Sequence, residues 1–89
     1  MVCINDKIMS LKISTTDKLV LSALQESAKD SSGITEISNS DIAKTVNLNI
    51  YTCKSSLRRL AYAGLIERSV TKVDGILKRK IRIKEELFS

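Results

Sequence analysis

Lys54, Arg58 and Arg59 stand among Tyr51, Thr52 and Ser55, just after Asn49. A second cationic group, Lys72, Lys78, Arg79 and Lys80, gathers around Asp74-Gly75. Guanidinium and ammonium groups bind anionic oxygens, and the hydroxyl and amide side chains between them donate and accept hydrogen bonds. That inventory suits holding a polyanion better than breaking a bond. The chain has no His, and no Gly-rich phosphate loop follows a strand. Its carboxylates are scattered singly apart from Glu85-Glu86. General acid–base chemistry therefore lacks its usual groups, and no enzymatic activity is expected. Cys3 and Cys53 lack metal-ligand spacing, so neither a metal nor another cofactor is expected.

Charge is divided unevenly along the chain. Residues 1–47 carry five Lys and six Asp or Glu, whereas residues 48–89 carry ten Lys or Arg and four Asp or Glu. A near-neutral half joined to a basic half suggests that one side faces a polyanion. Eighty-nine residues make one small domain. One Phe, two Tyr and no Trp leave Ile, Leu and Val to build the core. Cys53 lies on an apolar face and reads as a small buried hydrophobe, as expected of a reduced, cytoplasmic protein. MVCINDKIMSLKI mixes charged with apolar residues and lacks the apolar core of a signal peptide. No apolar run is long enough to span a membrane.

The elements that must position these groups are legible in turn. Thr15-Thr16-Asp17 reads as a helix start, and Leu19, Val20, Ala23, Leu24 and Ala28 follow with helical spacing. Asp30 to Gly33 reads as a loop, and residues 34–37 as a candidate short strand. Ser38-Asn39-Ser40-Asp41 resembles a capping box and opens a helix ending at Val46. Asn47 suits the left-handed residue that stops a helix, Leu48 is an apolar plug, and Asn49 caps the next helix. In that helix Ile50, Cys53, Leu57, Leu60, Ala61 and Gly64 share one face, all within about 60° of Leu57. The opposite face carries Thr52, Ser55 and Arg59, with Tyr51 beside them and Arg58 and Ser56 on the flanks. Tyr62 also falls there and is assigned to surface packing. After Gly64 the period becomes two. Residues 65–73 and 76–84 flank Asp74-Gly75, a two-residue hairpin signal. The loop sets the register, pairing Val73 with Ile76, Glu67 with Arg82 and Ile66 with Ile83.

"SDIAKTVNLNIYTCKSSLRRLAYAGLIER" resembles the signature of small bacterial and phage winged helix-turn-helix DNA-binding proteins. Ala43 follows Ile42, Val46 lies three further on, and Asn47-Leu48-Asn49 stands where the family usually has Gly, an apolar residue and Ser. Leu57, Leu60, Gly64, Leu65 and Ile66 match the end of the third helix. With the preceding "DKLVLSALQESAKDSSGITEIS", the chain looks most like the type found in plasmid and phage replication-initiator proteins and in stand-alone partition and repressor proteins. The match covers residues 16–83. Asn47 in place of Gly and Cys53 in place of Val or Ile are departures.

The resemblance implies an α+β winged helix-turn-helix of three helices and a C-terminal two-stranded hairpin wing, spanning residues 15–84. Residues 1–14 would be an arm and 85–89 a tail. Ile4, Ile8, Met9, Leu11, Leu87 and Phe88 are candidates either for a dimer contact or for covering the chain's own core. The implied function is sequence-specific binding of double-stranded DNA by a homodimer in a prokaryotic cytoplasm, associated with nucleoid or plasmid. The role would be repression, plasmid or phage partition, or replication. Helix 50–63 would enter the major groove and the wing, 70–80, would meet the backbone or minor groove. Arg59, Ser55 and Thr52 are the expected base contacts, with Arg58 and Lys54 on phosphates. Asn49, Tyr51, Lys72, Lys78, Arg79 and Lys80 complete the candidate set. The alternative is a winged helix that docks another protein and binds no DNA.

Overall fold

The computed structural model describes residues 8, 10–29, 33–84 and 87. Its elements are α1 (Thr15–Ala28), β1 (Ile34–Thr35), α2 (Asn39–Val46), α3 (Ile50–Tyr62), β2 (Ile66–Val73) and β3 (Ile76–Ile83). The strands form one antiparallel sheet in the order β1-β3-β2. The short strand expected near 34–37 is present as residues 34–35. Of the loop expected from Asp30 to Gly33, only Gly33 lies among the described residues.

Each helix start is specified by one side chain. Ser14 Oγ accepts from the Asp17 amide at 3.1 Å, so Ser14 caps α1, one residue before the expected start. Ser38 Oγ accepts from the Asp41 amide at 3.1 Å and caps α2. Asn49 Oδ1 accepts from Tyr51 and Thr52 amides at 2.7 and 3.2 Å and caps α3.

Helix ends are closed in the same economical way. Asn47 takes φ 55° and ψ 46°. The Leu48 amide returns to Ala43 O at 3.0 Å and the Asn47 amide to Lys44 O at 3.4 Å. That is a Schellman closure, and it delivers the chain to the Asn49 cap within two residues. α3 ends likewise: Gly64 has φ 78°, and Leu65 N reaches Leu60 O at 3.0 Å. Because Asn tolerates the left-handed region better than other residues that carry a Cβ, Asn47→Ala is expected to lower stability by about 1 kcal/mol. Asn47→Gly should match or exceed wild type. The urea midpoint checks both, and an alanine variant as stable as the glycine variant would remove the αL argument.

The hairpin has the register that a two-residue loop dictates. All eight pairs from Val73↔Ile76 to Ile66↔Ile83 form, including Glu67↔Arg82. Asp74 and Gly75 both have positive φ, 52° and 79°, as a primed turn requires. Only the base of this ribbon is covered. Ile66, Ile81 and Ile83 are buried, while the outer half projects into solvent.

One core joins the three helices to the base of the β2–β3 ribbon. Val20, Leu21 and Leu24 of α1, Ile42 of α2, Cys53, Leu57 and Leu60 of α3, and the three base isoleucines form it. Leu21, absent from the expected face of α1, is fully buried, because α1 packs against both helices and the sheet. Ile8 and Leu87 are also core residues, and Leu11 and Ile13 pack against them. Leu87 is held further by Gln25 Nε2 donating to its carbonyl at 3.0 Å. Ile8 of the arm and Leu87 of the tail thus cover the chain's own core. Ile4, Met9 and Phe88 lie outside the described residues.

Candidate nucleic-acid interface

The exposed face of α3 is not centred where its apolar periodicity placed it. Ser56 is 0% exposed and Ile50 is 36% exposed. The buried side of the helix is therefore Cys53, Ser56, Leu57 and Leu60. Relative to Leu57 this turns the helix by roughly 50° about its axis. The side chains brought fully outward are Tyr51, Lys54, Ser55, Arg58 and Tyr62, with Thr52 half-buried at the margin.

Tyr62 is 95% exposed and packs on nothing, against the surface-packing role assigned to it. Tyr51 is 73% exposed, with Lys54 Nζ 5.7 Å from its ring centroid. Such a cation–π contact holds the amine near the ring while leaving it open to an anion. Asn49 commits its Oδ1 to the cap; its amide donors have no partner among the described residues. The helix carries no acidic residue from Ile50 to Tyr62.

The reason for the turn is a polar knot between α1 and α3. Asp17 is 5% exposed. Ser56 Oγ donates to its Oδ1 at 2.6 Å. Arg59 Nε reaches Oδ2 at 3.0 Å and Nη2 reaches Oδ1 at 2.8 Å, while Nη2 also donates to Ser56 Oγ at 3.1 Å. The Arg59 guanidinium holds the Asp17 carboxyl below its ordinary range, against the opposing effect of burial. A buried carboxylate needs such partners, so α3 turns Ser56 inward to supply one. The Nε/Nη2 fork of Arg59 is thereby committed within the protein. The base contact expected of it would need that fork elsewhere, and Arg58 is the arginine that projects freely from the outer face.

In the wing, Lys72, Lys78 and Lys80 are exposed as expected, but Arg79 is not part of their group. It lies on the face of β3 that continues from Ile81 and Ile83. Its Nη1 donates to Asn39 Oδ1 and its Nη2 to Ile37 O at 2.7 Å. Burial and the nearby Arg68 charge lower its pKa from the ordinary arginine value. Arg79 thus ties the wing to the start of α2. Arg68, unmentioned among the expected contacts, is exposed beside it. The cross-strand pairing of Arg68 with Ile81 placed it on the core-side face, where a base-level position reads as packing. Between the lysines the wing exposes Val70, Val73, Ile76 and Leu77. No cluster of Cys, Asp and Glu among the described residues could hold a metal ion. No helix among them is long and apolar enough to cross a membrane.

The arrangement is one helix with an outer face of Tyr, Ser, Lys and Arg, followed directly by a cationic ribbon. No family model matches the chain. No curated protein matches it either. Among solved structures it superimposes on a possible transcriptional regulator from Methanosarcina mazei Go1, with a TM-score of 0.62 at 17% identity. The overlap covers 89% of this chain and 64% of that one, so this chain spans less than two thirds of its neighbour's length. At that identity the likeness speaks for fold alone. Together with three helices, the tight α2–α3 turn and the β2–β3 ribbon, it establishes an α+β architecture of the winged helix-turn-helix kind.

Proposed function

We propose that this chain binds duplex DNA in a sequence-selective way and acts as a transcriptional regulator, by binding alone and without catalysis. The observation that carries the reading is the outer face of α3. Tyr51, Ser55, Arg58 and Tyr62 project from a helix free of acidic residues, and the exposed Lys72, Lys78 and Lys80 of the wing follow it. An α-helix fits the major groove, where Arg pairs with guanine and hydroxyls meet base edges or phosphates. Arg58 and Ser55 are the base-reading pair, with Thr52 at their margin and Lys54, Tyr51 and Asn49 on the backbone. The wing lysines neutralise phosphates of the adjacent groove, and Val70 and Leu77 lie against its sugars. The name of the Methanosarcina neighbour agrees with this reading.

One domain of this size buries little interface, so two copies on paired half-sites are part of the proposal. Repression would show a single palindrome. Partition or replication would instead show tandem sites.

Fluorescence anisotropy tests the reading, with duplex fragments from around the chain's own gene and random duplex across a salt series. Site-selective binding is expected, and Arg58→Ala should weaken it by about tenfold or more while relaxing the preference at one base position. The spacing of the footprint distinguishes a palindrome from repeats. Equal binding to all duplexes would reduce the function to backbone contact. No binding at low salt would overturn the DNA reading in favour of a protein-docking module.

A further inference from the structure

We infer that Asp17 is a positioning residue that presents Arg59 to a DNA phosphate from behind the groove-reading helix. This inference rests on the proposed DNA binding and goes beyond it, because Asp17 belongs to α1 and carries the wrong charge to meet DNA itself.

Three features of the knot support the assignment. First, the clamp uses only one side of the guanidinium. Nε and Nη2 hold Asp17 and Ser56, whereas Nη1 makes no hydrogen bond to the described residues. Second, the two partners differ in exposure. Asp17 is buried, but the Arg59 side chain is 53% exposed, so its unused edge is open to water. Third, Arg59 follows Arg58 at the margin of the outer face of α3, where a helix seated in a groove meets the flanking backbone.

A free arginine surrenders much rotamer freedom when it makes a contact. Arg59 has surrendered it already, held by three hydrogen-bond acceptors on two elements. What remains is a fixed N–H edge, suited to one phosphate oxygen. It does not suit a guanine, which takes an open fork. The carboxylate behind the guanidinium also cancels its long-range charge. Arg59 therefore contributes little to random association and much to a correctly registered complex. Positioning and bulk electrostatics thus act in opposite directions at this pair, and an experiment can separate them.

Asp17→Asn keeps the side-chain shape, raises the net charge by one unit and loosens Arg59. Its affinity for a selected site should fall by about tenfold, while its affinity for random duplex stays level or rises. The ratio of the two is the readout. A merely structural role would reduce the folded fraction and lower both affinities together, leaving the ratio unchanged. Arg59→Lys retains the charge without the planar fork and should lower the ratio by a similar factor. The double variant should be no worse than either single one. An unchanged ratio in a site-selective wild type overturns this inference alone. So does tighter specific binding by Asp17→Asn, which would mean that Asp17 withholds Arg59 from DNA. A wild type that selects no site overturns both this inference and the reading beneath it.

Discussion

Replacing Lys72 and Lys78 together with Glu is expected to weaken duplex binding by about 100-fold at 0.1 M salt. Each phosphate neutralised by a cation releases counterions, and its loss flattens the salt slope by about 0.9. Two lost contacts should flatten it by about 1.8, with repulsion from the new carboxylates added. The fold should be untouched. Both lysines are exposed on the projecting half of the wing, and their cross-strand partners are Leu77 and Thr71, neither of them charged. Thermal melting should move little. The preference for a selected site over random duplex should survive, because the wing positions the protein and α3 reads the bases. Anisotropy titrations at several salt concentrations measure all three quantities. An unchanged affinity and slope would remove the wing from the interface.

Leu60→Ala is the substitution with the largest expected effect on the fold. Leu60 is fully buried at the meeting of α3 with the core, and its carbonyl receives the Leu65 amide that closes the helix. Truncating a leucine in such a place removes its transfer energy and leaves a cavity, costing about 2–5 kcal/mol. For a domain of this size each kcal/mol moves the melting point by about 4–8 °C, so a fall of about 15 °C is expected. Leu19→Ala supplies the contrast. Leu19, expected on the buried face of α1, is only partly covered and is not among the residues packed against the core, so its loss should cost under about 1 kcal/mol. Circular dichroism melts compare the two. A Leu60 variant no worse than the Leu19 variant would mean that α3 is not anchored through this residue. DNA affinity should fall in Leu60→Ala as the folded fraction falls, equally for selected and random duplex. That pattern differs from the changed ratio expected of Asp17→Asn.

Much of the fold was legible because its signals are local. Asn47 and Gly64 occupy left-handed positions that few residues tolerate, and Ser38 and Asn49 cap helices through amides two or three residues away. Asp74-Gly75 specifies a turn, and a two-residue turn leaves one register for the strands. The wing lysines could be named for the same reason: a strand alternates, and near the free end of a ribbon both faces meet water.

The candidate site was less legible, and the errors share one cause. Ser56 and Asp17 are separated by 39 residues, yet their hydrogen bond decides which side of α3 is buried. An apolar pattern cannot show that this serine belongs inside, because the carboxylate that satisfies it lies on another element. The same holds for Arg59, paired across 42 residues, and for Arg79, whose acceptors lie on the approach to α2 and in its first turn. Arginine in a basic run reads as free charge until an acceptor from elsewhere is placed beside it. The chain by itself determined its helices, its turns, the hairpin register and the sign of its charged surface, since each depends on neighbours in sequence. The tertiary structure alone decided the rotation of α3 and which cations remain free to bind, because buried polar groups take whichever partners the packing brings within reach.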